Sequence, residues 1–163
     1  MINKINIYFV TFFGIGYIKL APGTLASLIT SILLFIAFHA LNIPSNIIFL
    51  FLFLIFIYSL YAISSYIKKI NNKDPKEVVI DEVIGQSIPI YLYEISHGTV
   101  KEFNDALIFY TTIFILFRFF DIIKPFPVSY FDKKFKNVFG VIFDDICAGL
   151  YVVLILIIYM VLK

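Results

Sequence analysis

Hydrophobic positions crowd this chain into long blocks separated by short polar interruptions. Residues 21 to 67 form a run of 47 without Asp, Glu, Lys or Arg, and residues 146–162 are a second uncharged block. About 20 apolar residues cross the hydrocarbon of a bilayer as a helix. Residues 24–41 and 47–64 are therefore predicted as two spans, joined by the turn-forming Asn42-Ile43-Pro44-Ser45-Asn46. Ala21-Pro22-Gly23-Thr24 opens the first, with Thr24 as its expected N-cap. Residues 141–162 are predicted as the last span. The middle of the chain is more polar. Residues 103–120 are apolar apart from Asn104, Asp105 and Arg118, and residues 78–94 carry Asp81, Glu82, Gly85, Gln86 and Pro89.

The lysines decide whether residues 78–94 cross. If they do not, Arg118, Lys124, Lys133, Lys134 and Lys136 fall on the outer side. If they do, Lys4, Lys19, Lys68, Lys69, Lys73 and Lys76 share the cytoplasmic side with Lys124, Lys133, Lys134 and Lys136. The outer loop then keeps Lys101 against Glu94, Glu102 and Asp105. Five crossings satisfy the positive-inside rule, the third expected as a broken or partly re-entrant helix, since Gly85 and Pro89 weaken it. The same topology brings Thr24, Asp81, Glu82, Arg118, Asp121, Lys124, Asp144 and Asp145 to one membrane face.

Composition agrees. The chain has 163 residues, 61% of them hydrophobic, against roughly 45–50% in a soluble domain. Its mean hydropathy is +0.98. The expectation is one all-α unit over residues 1–163, embedded in lipid as about five crossing or embedded helices with a polar site at the cytoplasmic face. One cysteine, Cys147, excludes an intrachain disulfide, and a net charge of +2 with no aromatic-basic motif argues against nucleic acid. No cleavable signal peptide is expected, because residues 5–13 are a short apolar run without a small-residue cleavage site after it.

Charges at hydrocarbon depth are costly and persist mainly where they line a polar site or reach the interface. Phe117-Arg118-Phe119-Phe120-Asp121-Ile122-Ile123-Lys124-Pro125-Phe126-Pro127 sets three charges at steps of three, which places them on one helical face before the prolines end the helix. Asp81-Glu82 and Asp144-Asp145 break the neighbouring apolar runs. Either pair alone could be a helix N-terminus favoured by the dipole. With Asp121 they make five carboxylates at one face, an arrangement that a cation must compensate, and Mg²⁺ prefers such oxygen ligands. Arg118 can grip a phosphate through two parallel hydrogen bonds, whereas Lys124 supplies a point charge or an interfacial anchor. No Ser-Gly-His, Cys-x5-Arg or paired-His motif supplies a nucleophile, Cys147 reads as a packing residue, and His39 and His97 lie away from the cluster.

The block from Asp74 to Gln86, the block from Phe117 to Pro127, and Asp144-Asp145-Ile146-Cys147-Ala148-Gly149 resemble the signature blocks of the bacterial phosphatidylglycerophosphatase A family. Gly14-Ile15-Gly16 and Ala21-Pro22-Gly23-Thr24-Leu25-Ala26-Ser27 resemble its N-terminal block, with Ala26 where the family usually has glycine. The resemblance implies Mg²⁺-dependent removal of the terminal phosphate of phosphatidylglycerophosphate, at the cytoplasmic face of a bacterial inner membrane, with membrane lipids as surroundings. It implies Asp81, Glu82, Asp121, Asp144 and Asp145 as metal-binding and catalytic residues, and Arg118, Lys124 and Thr24 as phosphate-binding ones. A small ion-coupled transporter or membrane-assembly subunit is the rival class, although nothing would require its charges to share one face. A CDP-alcohol phosphotransferase would need an Asp-Gly-x2-Ala-Arg motif, which this chain does not contain.

Overall fold

The computed structural model describes residues 4–70, 75–97, 103–134 and 137–162. Asp74, Lys73, Lys101, Glu102 and Lys136, which entered the motif and charge readings above, lie outside them, as do the side chains of His97 and Lys133. The described residues form seven α-helices and no strand: α1 (Lys4–Val10), α2 (Pro22–Phe35, continued by a wider π turn, Ile36–Ala40), α3 (Ser45–Ile70), α4 (Ile80–His97), α5 (Phe103–Ile123), α6 (Val128–Lys134) and α7 (Val138–Leu162).

Among the described residues, four stretches are long and apolar enough to cross a membrane: Pro22–Ala40, Ser45–Ile70, Asn104–Ile123 and Val138–Leu162. Their outward faces are apolar. Phe51 is 63% and Ile108 63% exposed, a surface that hydrocarbon rather than water would cover. The fifth long helix, α4, differs because it is the interior of the bundle. It packs against α2, α3, α5 and α7 together, and Ile84, Gln86, Ser87, Ile90, Tyr93 and Glu94 on it are all buried. Eighteen residues give it a length of about 27 Å, so it runs the height of the bundle. Its polarity faces protein instead of lipid, which is why it reads poorly as a span.

Two core clusters stack along this axis. Val10, Ala26, Ile63, Tyr66, Val79 and Ile142 fill one half. Leu34, Phe38, Ile90, Tyr110, Ile113, Phe117 and Val152 fill the other. Ala26 is fully buried in the first, where a glycine would leave the methyl's space empty.

Local signals explain the boundaries. Asn137 caps α7: its Oδ1 accepts from the amides of Phe139 (3.1 Å) and Gly140 (3.2 Å). The helix therefore starts earlier than the predicted residue 141, and Asp144 and Asp145 lie in its second turn, not at its start. Thr24 is not an N-cap. Pro22 opens α2 at its first position, where a missing N–H costs nothing, and Ala21 before it takes a left-handed φ of 45° with no side-chain cap. The helix α5 ends at Ile123, because Pro125 disfavours helical backbone at Lys124, which adopts a φ of 48°.

Candidate functional site

The site forms where α4 and α7 approach most closely, and glycines set that distance. A Cβ on Gly149 would lie 2.5 Å from the Gly85 carbonyl oxygen, and one on Gly85 would lie 2.7 Å from the Asp145 carbonyl oxygen. Pro89 contributes, since it has no N–H to bond the Gly85 carbonyl in the usual helical pattern. Gly85 follows Asp81-Glu82 by about one turn, and Gly149 follows Asp144-Asp145 by about one turn. The glycine contact thus draws the two acidic pairs together.

Asp81, Glu82 and Asp145 each offer a carboxylate oxygen such that all three atoms lie within 4.8 Å of one another. All three side chains are buried or nearly so, and Asp81 Oδ1 and Glu82 Oε2 have no hydrogen-bond partner among the described residues. Buried carboxylate oxygens without donors cost several kcal/mol unless something positive faces them, by the general penalty for burying charge. Oxygen-only donors of this kind suit a hard divalent cation, and the fit to Mg²⁺ is one of donor chemistry and charge. Glu82 also lies against the first turn of α2: a Cβ on Gly23 would sit 1.9 Å from Glu82 Oε1. That turn carries amide N–H groups that the helix itself cannot satisfy, and Thr24 is in it.

The other two predicted carboxylates are placed differently. Asp121 Oδ2 accepts from Arg118 Nη1 at 2.7 Å, one turn apart on α5. Arg118 Nη1 also reaches Ser27 Oγ on α2 at 3.5 Å, while its Nε is buried without a partner among the described residues. Asp144 Oδ2 accepts from Lys124 Nζ at 2.9 Å. Lys124 therefore leaves the helical face on which the step of three would put it, and turns to α7 instead. The eight predicted residues converge on one end of the bundle as three carboxylates with no ion-pair partner among the described residues, an Arg118–Asp121 pair, a Lys124–Asp144 pair, and Thr24 in the adjoining turn.

Two further side chains belong to this neighbourhood. Ser27 orients Arg118 and donates its own proton to the Gly23 carbonyl at 2.9 Å. Gln86, one turn below Glu82, is fully buried, and neither amide atom has a hydrogen-bond partner among the described residues. Its polarity inside an apolar run was the available signal. At the opposite end, His39 is close to no member of the cluster, but its uncharged hairpin packs on α4, and His39 Nε2 lies 3.1 Å from Glu94 Oε1.

Comparison with known proteins finds relatives of the whole chain. The family model described as Phosphatidylglycerophosphatase A matches residues 8–160. A phosphatidylglycerophosphatase A of Haemophilus influenzae is 34% identical over 155 residues, 95% of this chain and 88% of that protein. A protein of Bacteroides thetaiotaomicron described as "Putative phosphatidylinositol-3-phosphatase" is 33% identical over 144 residues, 86% of this chain and 84% of its own. No solved structure matches the chain. The matched region contains α2, α4, α5 and the carboxylate-bearing half of α7, so the chain belongs to the phosphatidylglycerophosphatase A family of phosphatases.

Proposed function

We propose that this protein hydrolyses the terminal phosphate of phosphatidylglycerophosphate, with Mg²⁺ as cofactor, in phospholipid biosynthesis. The observation that carries the proposal is the convergence of Asp81, Glu82 and Asp145 beside the Arg118–Asp121 pair. Phosphate monoesters are among the slowest compounds to hydrolyse unaided, so charge stabilisation must supply most of the rate. Asp81, Glu82 and Asp145 would hold the cation, which supplies Lewis-acid stabilisation at the phosphoryl oxygens when bound. Arg118 would present its remaining donors to the phosphate, held in orientation by Asp121 and Ser27. Lys124, oriented by Asp144, adds positive charge at the rim, and the first turn of α2, with Thr24, offers backbone donors to the same anion. Gln86, below the carboxylates, would hold a ligand or solvent molecule at the floor.

A lipid substrate brings its phosphate to the membrane surface, and the site lies at one end of the spans, as that requires. Lys68, Lys69, Lys76, Lys124 and Lys134 gather at this end, which supports a cytoplasmic orientation in a bacterial inner membrane. The test is phosphate release by purified protein from phosphatidylglycerophosphate, with and without EDTA, against phosphatidic acid and phosphatidylinositol-3-phosphate. Release from the first substrate, lost in chelator and restored by Mg²⁺, is expected. Full activity in excess EDTA would remove the metal, and preference for another lipid phosphate would reassign the substrate.

A further inference from the structure

Gln86 follows Glu82 by four residues, which puts both on one face of α4 with Gln86 about 6 Å deeper in the bundle. The next turn of that face brings Ile90, fully buried in the apolar core with Phe117. Gln86 therefore forms the floor of the polar end. Both α2 and α4 start at the site end, and the close approach of Gly23 to Glu82 fixes their register. One turn further along each helix stand Ser27 and Gln86. The amide thus lies at the level where Ser27 Oγ meets Arg118 Nη1 at 3.5 Å.

Gln86 is fully buried, and neither its donor, Nε2, nor its acceptor, Oε1, has a hydrogen-bond partner among the described residues. Burying an amide in that state is costly, and an apolar side chain of similar length would avoid the cost. A ligand has to answer both atoms. A phosphate dianion only accepts, so it would meet Nε2 and leave Oε1 facing negative charge. A metal ion would meet Oε1 and face the Nε2 hydrogens. Water answers both, accepting from Nε2 while donating to Oε1.

The direction of the reaction gives such a water a role. A terminal phosphate leads its headgroup into the site, so its ester oxygen trails toward the mouth. Phosphoryl transfer runs in line, with attacking and leaving oxygens on opposite sides of phosphorus. The attacking oxygen then comes from the floor, where Gln86 stands. We infer that Gln86 holds and orients the attacking water. This rests on the lipid-phosphatase reading above and adds the group that positions the nucleophile. The water oxygen forms the new P–O bond as the bond to the glycerol oxygen breaks, and the electron pair leaves with that oxygen. One water proton ends on the glycerol hydroxyl, and the other stays on inorganic phosphate. Gln86 exchanges no proton; it directs the lone pair that attacks.

The test is Gln86→Met, which keeps the length of the side chain and removes both polar atoms. On phosphatidylglycerophosphate, kcat is expected to fall about 100-fold, the scale of a misplaced reacting atom, with KM and Mg²⁺-dependent thermal stabilisation kept. Inhibition separates positioning from structure. Five-coordinate orthovanadate brings oxygens to both apical positions at once, which tetrahedral phosphate cannot do. Gln86→Met should weaken orthovanadate about tenfold more than inorganic phosphate, the scale of one hydrogen bond. Wild-type kcat in Gln86→Met overturns the inference. Equal weakening of the two anions, or a raised KM with kcat kept, also overturns it and makes Gln86 a phosphate ligand or a structural residue.

If Gln86→Met does not fold, a structure of the wild-type protein with Mg²⁺ and orthovanadate decides. An apical vanadate oxygen within hydrogen-bonding distance of the Gln86 amide is expected. An amide bonded to an equatorial oxygen, or out of reach of the anion, overturns the inference. Wild-type protein that releases no phosphate from the lipid defeats the functional reading itself, a result separate from any change in Gln86→Met.

Discussion

Asp121 and Asp144 already face cations, whereas Asp81, Glu82 and Asp145 face one another, so equal-sized substitutions should separate them. Asp145→Asn removes a charge from a set with no other compensating role, and should leave no measurable turnover and no Mg²⁺-dependent thermal stabilisation. Asp121→Asn acts through Arg118, whose bond to it at 2.7 Å is charge-assisted. Losing that restraint should cost about 1.5–3 kcal/mol in kcat/KM, the scale of a hydrogen bond to a charged group, while Mg²⁺ stabilisation persists. Arg118→Lys should fall in the same range, because the charge stays but the planar fork is lost. Cys147→Ser should remain active, since the side chain packs beside the apolar core and the swap keeps its size. A dead Cys147→Ser beside an active Asp145→Asn would mean a thiol mechanism.

The elements contribute by their spacing. The α4–α7 crossing depends on Gly85 and Gly149, and the methyl of Gly149→Ala would press on backbone, which cannot rotate away. Overpacking of this kind costs about 1–3 kcal/mol and here would be relieved by separating the two helices. Because Asp145 rides on α7 and Asp81-Glu82 on α4, that separation should open the carboxylate set. The expected outcome is a higher Mg²⁺ concentration for half-maximal activity, with a thermal midpoint lowered by a few degrees. Wild-type metal dependence in Gly149→Ala would mean that the crossing does not set the site. Small residues serve this purpose in membrane bundles generally, where close backbone approach replaces the hydrophobic drive available in water.

At the scale of the molecule, five long helices alternate in direction, and the polar groups separate between the ends. Carboxylates, Arg118 and the described lysines at 68, 69, 76, 124 and 134 mark one end, and Glu94 and Asp105 lie toward the other. If the site end is cytoplasmic, then on a Cys147→Ser background a cysteine at Lys76 or Lys134 should react with an impermeant reagent added from the cytoplasm. A cysteine at the exposed Asp105 should react from outside. Labelling of position 105 from the cytoplasmic side would show that α4 returns without crossing, contrary to its height in the bundle.

Sequence alone determined the class of this molecule and which charged residues interrupt its apolar runs, because both depend on quantities that are local in the chain. Forty-seven uncharged residues in a row cannot be hidden in a soluble domain of this size, and a Pro after Lys124 ends a helix whatever surrounds it. Charged residues placed inside apolar runs had to converge, since each alone would be stranded. Only the tertiary structure decided how those charges divide. Five carboxylates and two cations permit several pairings of similar local merit, and the choice of Lys124 for Asp144 follows from a left-handed residue and the position of α7. It also decided the environment of α4, whose polar pattern is unfavourable in lipid and ordinary within four packed neighbours. The cap at Asn137 was readable in principle, yet the apolar run beyond it gave the stronger signal and drew the boundary too late. The approach of Gly85 to Gly149, which assembles the site, joins positions 64 apart in the chain. No local pattern encodes that distance, because it is set by which helices find each other.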